Sequence, residues 1–146
     1  MTTASPKRLR IDPSAVARAE AALAAMAVNF DEWLKIEITR MEVAMSAVQS
    51  QGRTEASMEA LYHRAHDLKG LGATYGFPII SQIAGTLCRL IDSAERRMSA
   101  PMSLVGVHVE AIKAAARNGI RTDDDPVGKA LVRELEATVA ALDPEG

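Results

Sequence analysis

Aromatic residues are scarce in this chain: one Trp, two Tyr and two Phe make up 3% of 146 residues. Sheets favour aromatic and β-branched side chains, and proteins that hold single-stranded nucleic acid stack its bases on aromatic rings. The shortage counts against both. Cysteine is almost absent too. Cys88 stands alone, which excludes an intramolecular disulfide and a cysteine-based zinc site and suits a reducing compartment. A solitary Cys of this kind is expected to act as a small buried apolar residue. No sign of charge dominates: the net charge is −2 and the pI about 5.9. No basic stripe runs along any segment, so nucleic acid is not an expected partner. No apolar run approaches the roughly 18 residues that a membrane span needs. The stretch from Met1 to Arg10 is polar and basic with no apolar segment behind it, unlike a secretory signal. The expected location is the cytoplasm, with no membrane partner.

What the chain does have is apolar residues at helical spacing. The apolar fraction is 48% and the charged fraction 25%, as in an ordinary soluble protein. A chain of this length forms one domain and buries about 68–70% of its unfolded surface, enough to fold without staples. Abundant Ala favours closely packed helices. No stretch alternates with a period of two for long enough to make a strand.

Residues 1–11 are expected to be a flexible tail containing Pro6 and a Lys7-Arg8-Arg10 cluster. Asp12-Pro13 then offers an N-cap followed by Pro at the first helical position. Val16, Ala19, Leu23, Met26 and Phe30 recur behind it. Asn29 and Glu32 have the spacing of a capping box, which predicts a break near 28–30; the uninterrupted apolar phase supports one long helix instead. Leu34, Ile38, Met41, Met45 and Val48 form the next stripe, closed by Gln51-Gly52.

Thr54 is placed to cap a central helix, with Glu55 and Glu59 in its first turns, where carboxylates suit the dipole. Met58, Leu61, Ala65, Leu68, Gly72 and Tyr75 form its seam, at the alternating 3- and 4-residue steps of a bundle. Gly76 stops this helix and Pro78 opens another, whose stripe is Ile80, Ile83, Leu87, Leu90 or Ile91, Ala94 and Met98. Ala100-Pro101 is a turn. Val105, Val109, Ile112 and Ala116 precede Asn118-Gly119. After a polar loop, Asp125-Pro126 starts a last helix carrying Leu131 or Val132, Leu135, Val139 and Leu142. Residues 143–146 are a tail. Six helical stretches with short connections predict an all-α antiparallel four-helix bundle over about 30–118 within a domain of 12–142. The first and last helices pack outside that core.

His66 lies one residue off the central seam, on its flank. His66, Lys69 and Gly70 stand at i, i+3 and i+4, neighbours on a helix with Cβ atoms roughly 5–6 Å apart. Imidazole is both a good nucleophile and largely neutral near pH 7. Lys69 offers a point charge to phosphoryl oxygens, and Gly70 leaves the approach open. Phosphoryl transfer asks mainly for positioning and charge stabilisation, so this trio is a candidate acceptor.

His66-Asp67-Leu68-Lys69-Gly70, followed by small residues and Gly76, resembles the signature of histidine-containing phosphotransfer (HPt) domains of two-component phosphorelays. The likeness covers about 54–98 and, with the bundle, extends to about 118. It implies that His66 is phosphorylated, that Lys69 stabilises the phosphoryl group and that Gly70 gives steric access. It implies as partners the receiver domains of response regulators or a hybrid histidine kinase. The chain then has no cofactor of its own, since Mg2+ belongs to the receiver, and it is a carrier rather than an enzyme in its own right. Ser or Ala commonly follows the glycine; Leu71 stands here, about 140° round the helix from His66, where it need not block the site.

Other readings stay beside this one. A helical adaptor would keep the fold and leave His66 unused. His63 and His66 at i, i+3, with Glu59 a turn before, suggest a weak metal site, but a second Glu-x-x-His unit is missing and Lys69 would be repelled by a metal ion; no metal is expected. Tyr62, His63, Ala73 and Phe77 are candidates for the partner-binding rim around His66, and Tyr62 or Phe77 would be mere core if buried. His108 is expected to be structural or exposed. A P-loop, a kinase glycine loop and a nucleophile elbow are all missing. The expected state is a monomer.

Overall fold

The computed structural model describes residues 10–143. They form six α-helices: α1 Pro13–Gln51, α2 Glu55–Leu71, α3 Pro78–Leu90, α4 Ala94–Ser99, α5 Met102–Asn118 and α6 Pro126–Leu142. No strand occurs among the described residues. The second half of α1 packs on α2, α2 on α3, α3 on α5, and α5 back on α1, which closes a four-helix ring. α6 lies outside the ring against α3, and α4 caps one end beside α2. The expected all-α bundle with a last helix outside it is therefore present.

The caps are those the sequence offers. The carboxylate of Asp12 accepts from Ser14 N at 3.0 Å, and that of Asp125 from the amides of Val127 and Gly128 at 2.9 and 3.0 Å. Thr54 and Ser57 satisfy each other's amides at 3.0 Å, a reciprocal cap that fixes where α2 begins. At its far end the winding continues past Leu71. Phe77 N donates to Gly72 O at 2.8 Å and Gly76 N to Ala73 O at 3.0 Å, the paired bonds of a Schellman turn. Gly76 at φ +89 occupies the left-handed position that a side chain would strain.

The helix count matches expectation, but the divisions differ. The predicted break near 28–30 does not occur, and α1 runs unbroken for 39 residues. Neither Gly nor Pro lies between Ser14 and Gln51, and a local cap at Asn29 would compensate only part of the backbone bonding that a break gives up. The break comes later, at Ile91–Ser93, where the Ser93 hydroxyl accepts from Arg96 N at 3.1 Å and starts α4. Ala94 and Met98, expected on the core stripe, are consequently exposed. The first helical stretch was expected to pack outside the core; residues 11–26 are exposed throughout. The predicted tail 1–11 lies outside the described residues up to position 9. Asp143, assigned to the C-terminal tail, is tied down by Arg89 and Arg96 at 2.7 and 2.8 Å.

One core runs through the ring. Met41, Met58, Leu61, Leu68, Ile79, Ile80, Ile83, Leu87 and Ile112 are fully buried, and α6 adds Val132, Leu135 and Val139. Each such large side chain contributes about 1.5–3 kcal/mol. Three of them, with Ala65, belong to α2, so the helix carrying His66 is held along its whole inner face. Cys88 is buried as expected, and burial pushes its thiol pKa up to about 11 against the opposing pull of Lys69.

Candidate functional site

Ala65 and Leu68 are completely buried and bracket His66, which points outward from the opposite side of the same helix. His66, Lys69 and Gly70 are all exposed. His66 and Tyr75 are nine residues apart in the sequence, which at 3.6 residues per turn sets them on opposite sides of the winding, about 180° apart. Tyr75 packs on Phe30 and Trp33 of α1 at centroid distances of 5.9 and 6.0 Å. His66 thus faces away from α1, on the side flanked by α3 and α4.

Lys69 lays its aliphatic stem across α3 where α3 has no side chain. A Cβ added to Gly85 would lie 3.8–3.9 Å from Lys69 Cγ, Cδ and Cε. The stem is thereby steered along the helix surface while the ammonium stays in solvent. Among the described residues Lys69 forms no ion pair with a carboxylate, so its charge remains available beside His66.

Two glycines two residues apart play opposite parts. At Gly72 an added Cβ would come within 2.7 Å of both the backbone nitrogen and the hydroxyl of Ser81, so α2 and α3 approach there only because the side chain is missing. At Gly70 an added Cβ would meet nothing within 4 Å. The packing of this chain gives no reason for glycine at 70; the space it leaves opens outward, next to the imidazole.

Of the four predicted rim residues, His63 and Ala73 are exposed and Tyr62 is half-buried. The Tyr62 ring lies 6.2 Å from the His66 ring and 5.9 Å from that of His63. Phe77 is a correction. It is 4% exposed and covered by Arg121, whose guanidinium sits 4.4 Å over the ring while donating to Gly76 O at 3.0 Å. Phe77 belongs to the core. His63 lies 3.5 Å from Glu59, but among the described residues no group of three or more His, Cys, Asp or Glu is arranged to hold a metal ion.

Sequence reasoning missed Arg97. Its guanidinium lies 4.5 Å over the Tyr62 ring, on a short helix that is itself tied to its neighbours. Arg53 donates to Arg97 O and Ala100 O at 3.3 and 2.8 Å, and Arg96 pairs with Asp143. The signal that could have found it was the Ser93 cap, which starts a separate helix and takes Ala94 and Met98 off the extrapolated stripe of α3.

A groove of about 550 Å3 lies between α1 and α5, and His66, Lys69 and Gly70 do not line it. The imidazole stands on an open helix face, a setting for docking another protein rather than enclosing a small substrate.

The family model described as Hpt domain matches residues 13–143. The chain belongs to the Hpt domain family. No curated protein and no solved structure matches it. Hpt domains carry phosphoryl groups on histidine in phosphorelays, with receiver domains and kinases as partners and without a kinase domain of their own. The match spans all six helices, including the first half of α1. Among the described residues no helix is long and apolar enough to cross a membrane.

Proposed function

We propose that this chain accepts a phosphoryl group on His66 from the phosphorylated aspartate of one receiver domain and passes it to the aspartate of another. Gly70 carries the reading: it is a glycine that the packing of the described residues does not require, beside an exposed imidazole and an ammonium that pairs with no carboxylate among the described residues. An unprotonated ring nitrogen attacks phosphorus. The nitrogen–phosphorus bond forms as the acyl phosphate oxygen–phosphorus bond breaks, and the receiver's carboxylate leaves; the return step reverses both. Lys69 offsets charge on the three phosphoryl oxygens, and Gly70 lets the receiver's acidic pocket reach the ring. Mg2+ in this reading belongs to the receiver. The reaction takes place in the cytoplasm, where the single thiol stays reduced.

The test is transfer from a phosphorylated receiver domain to the wild type and to His66→Gln. The expected label is acid-labile, base-stable and absent from the variant, whose circular dichroism matches the wild type. Label retained by His66→Gln would remove His66 from its role. No label from several receivers on a folded wild type would leave a binding adaptor.

A further inference from the structure

The register between α2 and α3 is pinned beyond the end of α2. Ala73 N donates to Ser81 Oγ at 2.8 Å, and a Cβ added to Gly72 would lie 2.7 Å from Ser81 N. One turn back along α2 and one turn on along α3, Lys69 meets Gly85. Residue numbers fall on one helix as they rise on the other, so the two run antiparallel. A further turn of each brings His66 level with Cys88. Helical side chains tilt toward the N-terminus of their helix. That tilt carries Lys69 from the level of Gly85 back toward the level of His66. Its charge is felt in the same direction, because it opposes the burial that raises the thiol pKa of Cys88.

The path is open because one side chain is missing. A Cβ on Gly85 would lie 3.8, 3.9 and 3.9 Å from Lys69 Cγ, Cδ and Cε. Three successive methylenes at contact distance mean that the stem runs across the α carbon of Gly85. The flanking residues of α3 have other partners: Ser81 accepts from Ala73, and Arg89 pairs with Asp143 at 2.7 Å. Gly85 is not one of the positive-φ glycines, and inside a helix glycine is less stable than alanine. Its backbone conformation therefore gives no reason for a glycine here.

We propose that Gly85 is a positioning residue for phosphoryl transfer: the gap it leaves in α3 holds the Lys69 stem on a line that delivers the ammonium to the phosphoryl group on His66. The inference rests on His66 being the acceptor. A free lysine side chain has much rotamer freedom to lose when it meets a ligand. A stem already laid along α3 has lost part of it before the phosphoryl group arrives, so the charge is in place as the nitrogen–phosphorus bond forms.

The test is label uptake from a phosphorylated receiver domain over a range of receiver concentrations, for the wild type, Gly85→Val, Gly85→Ala, Lys69→Met and Gly85→Val combined with Lys69→Met. Valine adds two γ carbons to a Cβ that already touches the stem, and displaces it. Gly85→Val is expected to slow uptake at saturating receiver about tenfold, with the half-saturating concentration held within about twofold, as when an interaction made in the transition state is lost. In the Lys69→Met background the same change is expected to cost less than about twofold, because the two positions act as one unit. Gly85→Ala, whose Cβ only touches the stem, is expected to lose far less than Gly85→Val. Independently of transfer, nuclear Overhauser contacts in the wild type should join the α protons of Gly85 to the δ and ε protons of Lys69. Undiminished uptake by Gly85→Val, equal slowing in both backgrounds, a loss in Gly85→Ala as large as in Gly85→Val, or absence of those contacts overturns the inference and leaves the His66 assignment standing. A folded wild type that takes no label overturns the phosphocarrier reading itself, and this role with it.

Discussion

The guanidinium of Arg97 lies 4.5 Å from the centre of the Tyr62 ring. Its Nε is buried with no hydrogen-bond partner among the described residues, so the ring face is its chief partner. The contact joins α4 to the flank of α2 one turn before His66, and holds Tyr62 against the imidazole. A cation over an aromatic face is worth about 0.5–1 kcal/mol when partly exposed. A double-mutant cycle of Arg97→Met and Tyr62→Leu, read by urea unfolding, should return a coupling of that size. A coupling indistinguishable from zero would make the stacking incidental.

Gly70 and Gly72 should respond oppositely to the same methyl group. Gly70→Ala adds a side chain into open space and removes a poor helix former, so stability should rise by about 0.5–1 kcal/mol. Gly72→Ala forces the Ser81 backbone away and should cost about 1–3 kcal/mol. Transfer should separate them further. Gly70→Trp should slow phosphoryl uptake from a receiver by tenfold or more while the bundle remains folded. Undiminished uptake by that variant would show that access to His66 does not run over position 70.

Much of this was legible because it rests on local chemistry. Asp12-Pro13, Thr54, Gly76 and Asp125-Pro126 each cap or stop a helix through neighbours within a few residues, so the sequence displays the whole interaction. His66, Lys69 and Gly70 were legible for the same reason, since helical spacing alone makes them neighbours. What escaped was tertiary. Nothing local reveals that Arg97 reaches Tyr62 from 35 positions away, that Arg121 covers Phe77, or that Gly85 makes room for the Lys69 stem. The misplaced break shows the limit of a local signal: Asn29 and Glu32 have the right types at the right spacing, but continuous backbone bonding and an unbroken apolar phase outweigh them.

That outcome has a simple check at Asn29, which is exposed within α1. Were it an N-cap, Asn29→Ala would cost about 1 kcal/mol. In an uninterrupted helix the same change replaces a weak helix former by the best one and should stabilise by a few tenths of a kcal/mol. Helical ellipticity should rise slightly and the urea midpoint should not fall. A clear loss of ellipticity would restore the break.

His108 contributes to the response of the fold to acid. It is fully buried; its Nδ1 donates to Leu104 O at 2.8 Å, which leaves Nε2 the acceptor, buried without a partner. Burial holds the pKa below the usual 6.5, the bond to Leu104 opposing only in part. The unfolded chain therefore binds a proton that the folded chain refuses. Stability from this group is complete above about pH 6.5 and falls as the pH drops toward the lowered folded value, because the unfolded state holds more protons across that window. Unfolding free energies measured from pH 7.5 to 5 should decline in the wild type. His108→Leu removes both the titration and the unpaired buried nitrogen, so its decline should be shallower. An equal slope in the two proteins would place the acid sensitivity elsewhere.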